Sequence, residues 1–431
     1  MLKKIMVIMI ALVCLLSISA ISAEDVGGIA DTNVVGSFSD LQTAINNTGV
    51  GQTLTLDKDY ENSGSEGHMN ITKNIIIDGQ GHTIDAQGKS RIFNIGSGVS
   101  VTLKNINFIN GKATGSGSAS YGGAIYIYGG NLTVTDSIFI NTICTAEGGA
   151  IFSDGVGNFT VSNSCFINTT STTQGGAISA RNNGDFIVSN SSFINTTSSG
   201  SIGGAIYALN TGDFIVSNSS FINTTSGSSG GAISGDVSAT VIDSIFINTT
   251  ANSNGGAIRI NGNATVTDST FKDTISTSGS GGAIWIIGNA TVTDSTFTDT
   301  TAGQSGGEGQ NGGAIFSVNN VAVYNSTFTD TTARQSGGAI FSGNNVAVYN
   351  STFKDTTAGQ SGGAIRSGYG NLTVSGSTFT DNSANNGGAS IYAYGVLNVK
   401  DSTFNSPNAN GTAIIYISSS NKDVNLTNNS I

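Results

Sequence analysis

The tetrapeptide GGAI begins at Gly122, Gly148, Gly175, Gly203, Gly230, Gly255, Gly281, Gly312, Gly337 and Gly362, with degraded copies at Gly387 and Gly411. A unit that recurs every roughly 25–28 residues must fold as a stack of equivalent pieces, each burying its apolar face on the next. A second word keeps step with the first: Phe108, Phe139, Phe166, Phe193, Phe221, Phe246, Phe271, Phe297, Phe328, Phe353, Phe379 and Phe404. Valine stands ahead of almost every Phe, as at Val134, Val161, Val266 and Val348. Changes of length fall between the words, as at residues 302–313.

Each period holds short stretches of β character, such as AIYI, LTVTDS and FINTT, broken by Gly, Asn, Ser and Asp. No stretch reads as a helix within the period, which excludes the helical solenoids. A propeller blade would need about 40–50 residues. The remaining solution is an all-β chain forming one parallel β-helix of roughly twelve coils with three short strands per coil. The GGAI isoleucine, the Val and the Phe point inward and stack into three apolar columns. The paired glycines supply positive φ where the chain enters a strand. Two columns of Asn or Asp mark corners, because these side chains tolerate the left-handed region. The first runs through Asp136, Asn163, Asp268 and Asn350. The second runs through Asn141, Asn168, Asn195, Asn223 and Asn248, then Asp273, Asp299, Asp330, Asp355 and Asp381. Simple alternation places the constant Ala of GGAI on the outside.

The N-terminal part differs. Residues 36–48 place Phe38, Leu41, Ala44 and Ile45 on one helical face behind a serine cap, as a lid over the first coil. The expected organisation is a signal peptide at 1–23, an N-terminal cap at 24–60, irregular first coils at 61–120 and the GGAI β-helix at 121–431. The signal is read from the basic MLKK, the apolar IMVIMIALVCLLSI and small residues before Glu24. An exported, secreted or surface-held chain follows, and no later run is apolar enough to span a bilayer. Cys144 and Cys165 are expected to be two buried free thiols. The chain has 16 Lys and Arg and a formal net charge of -11. That excludes a basic footprint for nucleic acid.

Three groups of residues could carry function. The residue after GGAI is Tyr126, Phe152, Tyr207, Trp285, Phe316 or Phe341 in six coils, and Arg259 and Arg366 in two more. These should line up as an outward aromatic stripe able to stack on sugars or on a partner. Asp273, Asp299, Asp330, Asp355 and Asp381 stack like charges, which calcium could offset, although a solvent-screened ladder of Asx turns is the plainer reading. No other cofactor is implied. His82 and Asp85 in GHTID are the lone candidates for acid/base chemistry, with a simple turn as the plainer reading. His68 reads as an exposed loop residue. Asn131, Asn158, Asn195, Asn223, Asn263, Asn289 and Asn371 head glycosylation triplets, but an Asn inside a ladder cannot carry a glycan.

The segments SFSDLQTAINNTGVGQTLTLDKDY and ITKNIIIDGQGHTIDAQGKSRIFNI, followed by the GGAI coils, resemble the adhesin-like surface proteins of methanogenic archaea. The GGAI and Phe-x-Asn words are also similar to the repeats of polymorphic outer-membrane proteins, although this sequence shows no C-terminal β-barrel pattern. The resemblance implies a right-handed parallel β-helix of the pectate-lyase type, displayed at a cell surface and serving adhesion. Its partners would be an extracellular glycan or another cell's surface protein. The expected function is therefore a non-catalytic binding protein. A polysaccharide lyase or glycoside hydrolase on the same fold, and a purely structural surface-layer element, are the alternatives.

Overall fold

A computed structural model describes residues 34–64, 66–305, 309–406, 412–418 and 423–430. The expected signal peptide at 1–23 lies outside them. The chain divides into two compact units, Met1–Thr225 and Ser226–Ile431. Each is a stack of parallel β-helical turns of the right-handed type, as β-crossover-β connections generally are. Among the described residues the strands ending in the Val column number seven in the first unit and eight in the second, which makes fifteen turns rather than roughly twelve. The extra turns belong to the irregular segments at each end, where the repeated words fade.

The first unit opens on a helix, Phe38–Asn47. Ser37 caps it: its hydroxyl accepts from the Asp40 backbone N–H at 3.1 Å, and the Asp40 carboxylate accepts from the Ser37 N–H at 2.9 Å. Phe38, Leu41 and Ile45 are buried. The Gln42 side chain pairs with the backbone of Asn70, so the helix is tied to the strand Met69–Ile71.

The columns form as the repeat predicts. In the first unit Val134, Val161, Val188 and Val216 are in register. In the second, Phe271, Phe297, Phe328 and Phe353 are in register, with rings parallel and centroids 4.7–4.8 Å apart. That spacing is the distance between hydrogen-bonded strands, so each ring stacks on its successor without leaving its rotamer. These side chains have essentially no exposed surface. Each contributes about 1.5–3 kcal/mol by burial. Both corner columns hold positive φ, for example +49° at Asn163 in the first and +54° at Asp299 in the second. The serine after the first corner is buried yet satisfied: the Ser164 hydroxyl donates to the Ser162 carbonyl at 2.8 Å and accepts the Ser137 N–H at 3.2 Å.

Three expectations change. Each repeat coil has a fourth strand of two residues, such as Thr301–Ala302, besides the three expected. The GGAI alanine is buried, not outward: Ala257, Ala283, Ala314 and Ala339 have no exposed surface. It lies in the turn before the strand, where alternation does not apply. Gly281 holds φ +68°, and a Cβ on Gly282 would lie 2.0 Å from the carbonyl of Gly313 in the next turn. The Ala283 carbonyl then accepts two N–H groups, from Ala257 and Ile258. Finally, Cys165 is not a second free thiol. Cys144 is a buried free thiol, pushed up to about 12 by burial.

One pair of buried columns was not apparent as a pair. The second inward residue of the GGAI strand is Ser153, Ala180 and Ala208 in the first unit, and Ile260 and Ile286 in the second. The first inward residue of the following strand is Phe159, Phe186 and Phe214, then Ala264 and Ala290. Within each of these turns large is matched with small; later turns of the second unit return to the first unit's order, with Ser317, Ser342 and Ser367 followed by Val321, Val346 and Leu372.

Candidate functional site

The strand that follows the glycine pair is three or four residues long, and its second residue faces outward, which places the aromatic stripe. In the second unit Arg259, Trp285, Phe316, Phe341, Arg366, Tyr392 and Tyr416 stand in one register. Trp285 and Phe316 are stacked with centroids 6.1 Å apart, and Phe316 and Phe341 at 5.3 Å. The Arg259 guanidinium lies 5.8 Å from the Trp285 ring. That of Arg366 lies 5.4 Å from Phe341 and 5.5 Å from Tyr392. Cations between ring faces are favourable electrostatically. From Trp285 to Tyr392 the faces are therefore occupied by one another and by guanidinium groups, and these rings are half-buried, whereas Tyr416 at the last rung is exposed. A sugar cannot stack on these faces as expected; it would meet ring edges and arginine.

Tyr392 and Tyr416 were not singled out from sequence. The degraded copies are shifted by one residue: Gly388 holds φ +64°, and the strands begin at Ile391 and Ile415. The pair Ile-Tyr at both places was the available signal.

The first unit treats the same position differently. Tyr126 stacks on Phe152 at 5.6 Å, and Tyr121 also packs on Phe152 at 4.5 Å. Phe152 and Tyr207 are only 3% exposed, so the expected exposed stripe does not exist at these two residues. Glu147 occupies the ground beyond Phe152. It accepts from the Ser179 hydroxyl at 2.9 Å and pairs with Arg181 at 3.0 Å.

Asp273, Asp299, Asp330, Asp355 and Asp381 form the expected ladder at one corner of the second unit. Burial pushes the Asp330 carboxyl up, and Asp355 and Asp299 add to this against Lys354. The ladder puts one carboxylate on each turn. Among the described residues no three His, Cys, Asp or Glu side chains converge as a metal site.

His82 does not work with Asp85. Its Nδ1 lies 3.0 Å from Asp59, which also accepts the Thr83 N–H at 2.8 Å. Asp59 stands one turn earlier, so only folding brings the two together. Asp85 instead accepts from the Gln87 N–H and from Asn110. Asp85, Gln87, Asn110, Lys112, Asn141 and Ile143 border a cleft of about 590 Å³ on the opening turns. His68, exposed as expected, borders a neighbouring cleft with Lys89, Arg91 and Lys112. Of the glycosylation triplets, Asn195 is inside a ladder, donating to Asn168 at 3.1 Å.

No protein-family model matches the sequence, and no curated protein does. Among solved structures the chain is similar to a mannuronic acid specific polysaccharide family 6 lyase from human gut microbiota, with 13% identity, 81% of this chain and 86% of that one covered, and a TM-score of 0.42. It is also similar to the catalytic unit of a GH87 alpha-1,3-glucanase from Streptomyces thermodiastaticus, with 14% identity, coverage of 94% and 70%, and a TM-score of 0.44. Tailspike protein 3 of bacteriophage CBA120 is a third, with 13% identity, coverage of 94% and 61%, and a TM-score of 0.38. At these levels the likenesses carry no argument about activity. Among the described residues no helix is long and apolar enough to cross a membrane.

Proposed function

We propose that the protein is an exported, cell-surface, adhesin-like protein that presents an outer face of its turns to glycans or other surface ligands and performs no catalysis. The observation that supports this is the aromatic and arginine ladder of the second unit. It runs over seven consecutive turns without an interruption. Stacked rings are already ordered, so a ligand that touches their edges immobilises little. Repeated weak contacts along the ladder would add through effective concentration rather than through one deep pocket. The resemblance to adhesin-like surface proteins points the same way.

The test is a glycan array with the purified chain beside Trp285→Ser/Phe316→Ser/Phe341→Ser. Phe152 and Tyr207 are left unchanged because they are buried. Retained signals that drop at least about tenfold in the variant support the reading. Equal signals from both proteins remove the ladder from it. A carbohydrate-active enzyme is the second reading, favoured by the imidazole of His82 held by Asp59. New reducing ends or unsaturated products that disappear in His82→Ala would put it first.

A further inference from the structure

The opening turns carry a cleft of about 280 Å³ bordered by His68, Lys89, Arg91, Asn94, Lys112 and Thr114. Three cations and no carboxylate line it, in a chain of net charge -11. Arg91 is the unusual member. It is only 5% exposed. Its Nε donates to the carbonyls of Tyr121 and Gly122 at 3.1 and 3.0 Å, and its Nη2 donates to Ser118 and Tyr121. The Tyr126 ring lies 4.9 Å from the guanidinium. Among the described residues no carboxylate pairs with it, and Nη1 donates to no protein group. By contrast Arg181 is paired with Glu147 and Arg259 with Asp236. A cation withdrawn from water without a counter-ion is costly, and the fold retains one here. Burial pulls Arg91 down to about 10, which still leaves it charged at neutral pH.

The other groups describe the rest of the ligand. Lys89 Nζ spends two bonds on the Asn62 carbonyl and Gln87, which fixes its position. Lys112 is exposed, has no protein partner, and borders both this cleft and the larger one beside it. That larger cleft offers Gln87, Asn110 and Asn141 together with Asp85. Amides suit a hydroxylated body, and the Asp85 carboxylate disfavours a second anion there. The guanidinium and ammonium groups suit a carboxylate at one end.

We propose that these two adjoining clefts bind an acidic saccharide, with a uronate carboxylate at Arg91, Lys89 and Lys112 and a neighbouring sugar ring at Gln87, Asn110 and Asn141. The site is separate from the ladder of the second unit and stands whether or not that ladder binds anything.

The experiment is calorimetric titration of the purified chain with disaccharides of galacturonate, glucuronate and mannuronate, and with the corresponding neutral disaccharides. Lys112→Ala is the test variant, because an exposed side chain without partners can be removed without disturbing the fold. Saturable binding of at least one acidic disaccharide is expected. It should weaken at least tenfold in Lys112→Ala, weaken with added salt, and be absent for the neutral analogue. Binding of none of the three overturns the proposal. So does equal affinity for the neutral analogue, or an unchanged affinity in Lys112→Ala. The ladder variant Trp285→Ser/Phe316→Ser/Phe341→Ser should bind the acidic disaccharide as the parent does, so the two readings fail separately.

Discussion

One turn of the first unit and one turn of the second solve the same packing problem in opposite ways. In the first, Phe186 follows the small Ala180 within a turn; in the second, the small Ala290 follows the large Ile286. All four side chains are buried. The interior is close-packed, and these two turns keep a similar summed volume while exchanging its distribution between the two positions. The second corner column shows the same separation of what is fixed from what is free. Its backbone sits at φ between +52° and +54° at the column positions of both units. The first unit fills it with Asn, whose amides donate turn to turn, Asn168 to Asn141 at 3.2 Å and Asn195 to Asn168 at 3.1 Å. The second fills most of it with Asp, which can only accept when ionised. Geometry is common to the units; hydrogen bonding and charge are not.

The strongest challenge to the volume argument is a transplant. Phe186→Ala alone should cost about 3–5 kcal/mol, and Ala180→Ile alone about 1–3 kcal/mol through overpacking. The double variant, which gives that turn the arrangement of Ile286 and Ala290, should recover about 0.5–3 kcal/mol relative to the sum of the two. Additive losses in thermal unfolding would show that the two columns do not share space. The corner column gives a smaller effect. Asn168→Asp removes the donor to Asn141 and should cost about 1 kcal/mol. Asp330→Asn relieves repulsion from Asp299 and Asp355 and should add no more than about 0.5 kcal/mol. Loss of stability in both would mean that each unit is tuned to its own side chain.

The smallest effect is one of pH. The Asp330 carboxyl titrates above its ordinary value in the folded chain. The folded state therefore holds its proton to higher pH than the unfolded chain does. The resulting stability is fully present below the unfolded value and is lost as pH rises through the folded one. Lowering pH toward 4 should thus raise the melting temperature of the parent relative to Asp330→Asn. A constant difference across that range would mean that the ladder charges do not sense one another. Asp78, in the first unit, behaves oppositely. Burial alone would raise it, but bonds from Lys104, Asn105 and the Gln80 N–H outweigh burial and hold it at about 2.

What the sequence revealed follows the same division. Phe297, Val161 and Asn168 were readable because each recurs at a fixed place, and stacking makes recurrence a statement about contact. The helix was readable from Ser37 and its apolar face. The buried alanines were not, because alternation counts residues in strands and Ala283 lies in a turn. The His82 partner was hidden because Asp59 lies one irregular turn away and belongs to no repeated word. Arg91 was not singled out, because it belongs to no repeated word and its guanidinium is held by the carbonyls of Ser118, Tyr121 and Gly122 about thirty residues on. Stripe burial at Phe152 depends on Tyr121, which precedes the first GGAI and has no counterpart in later turns.

The register of neighbouring turns has a consequence for heredity. Residues 319–343 and 344–368 differ at only a few places, and Val321, Val323 and Phe328 pair with Val346, Val348 and Phe353 at a spacing of 25 residues. Coding segments that alike can recombine with each other out of step. A crossover there adds or deletes one complete turn, and each remaining strand still meets a partner of the same kind. The gene can therefore change the number of turns in a single event, without passing through a misfolded intermediate length.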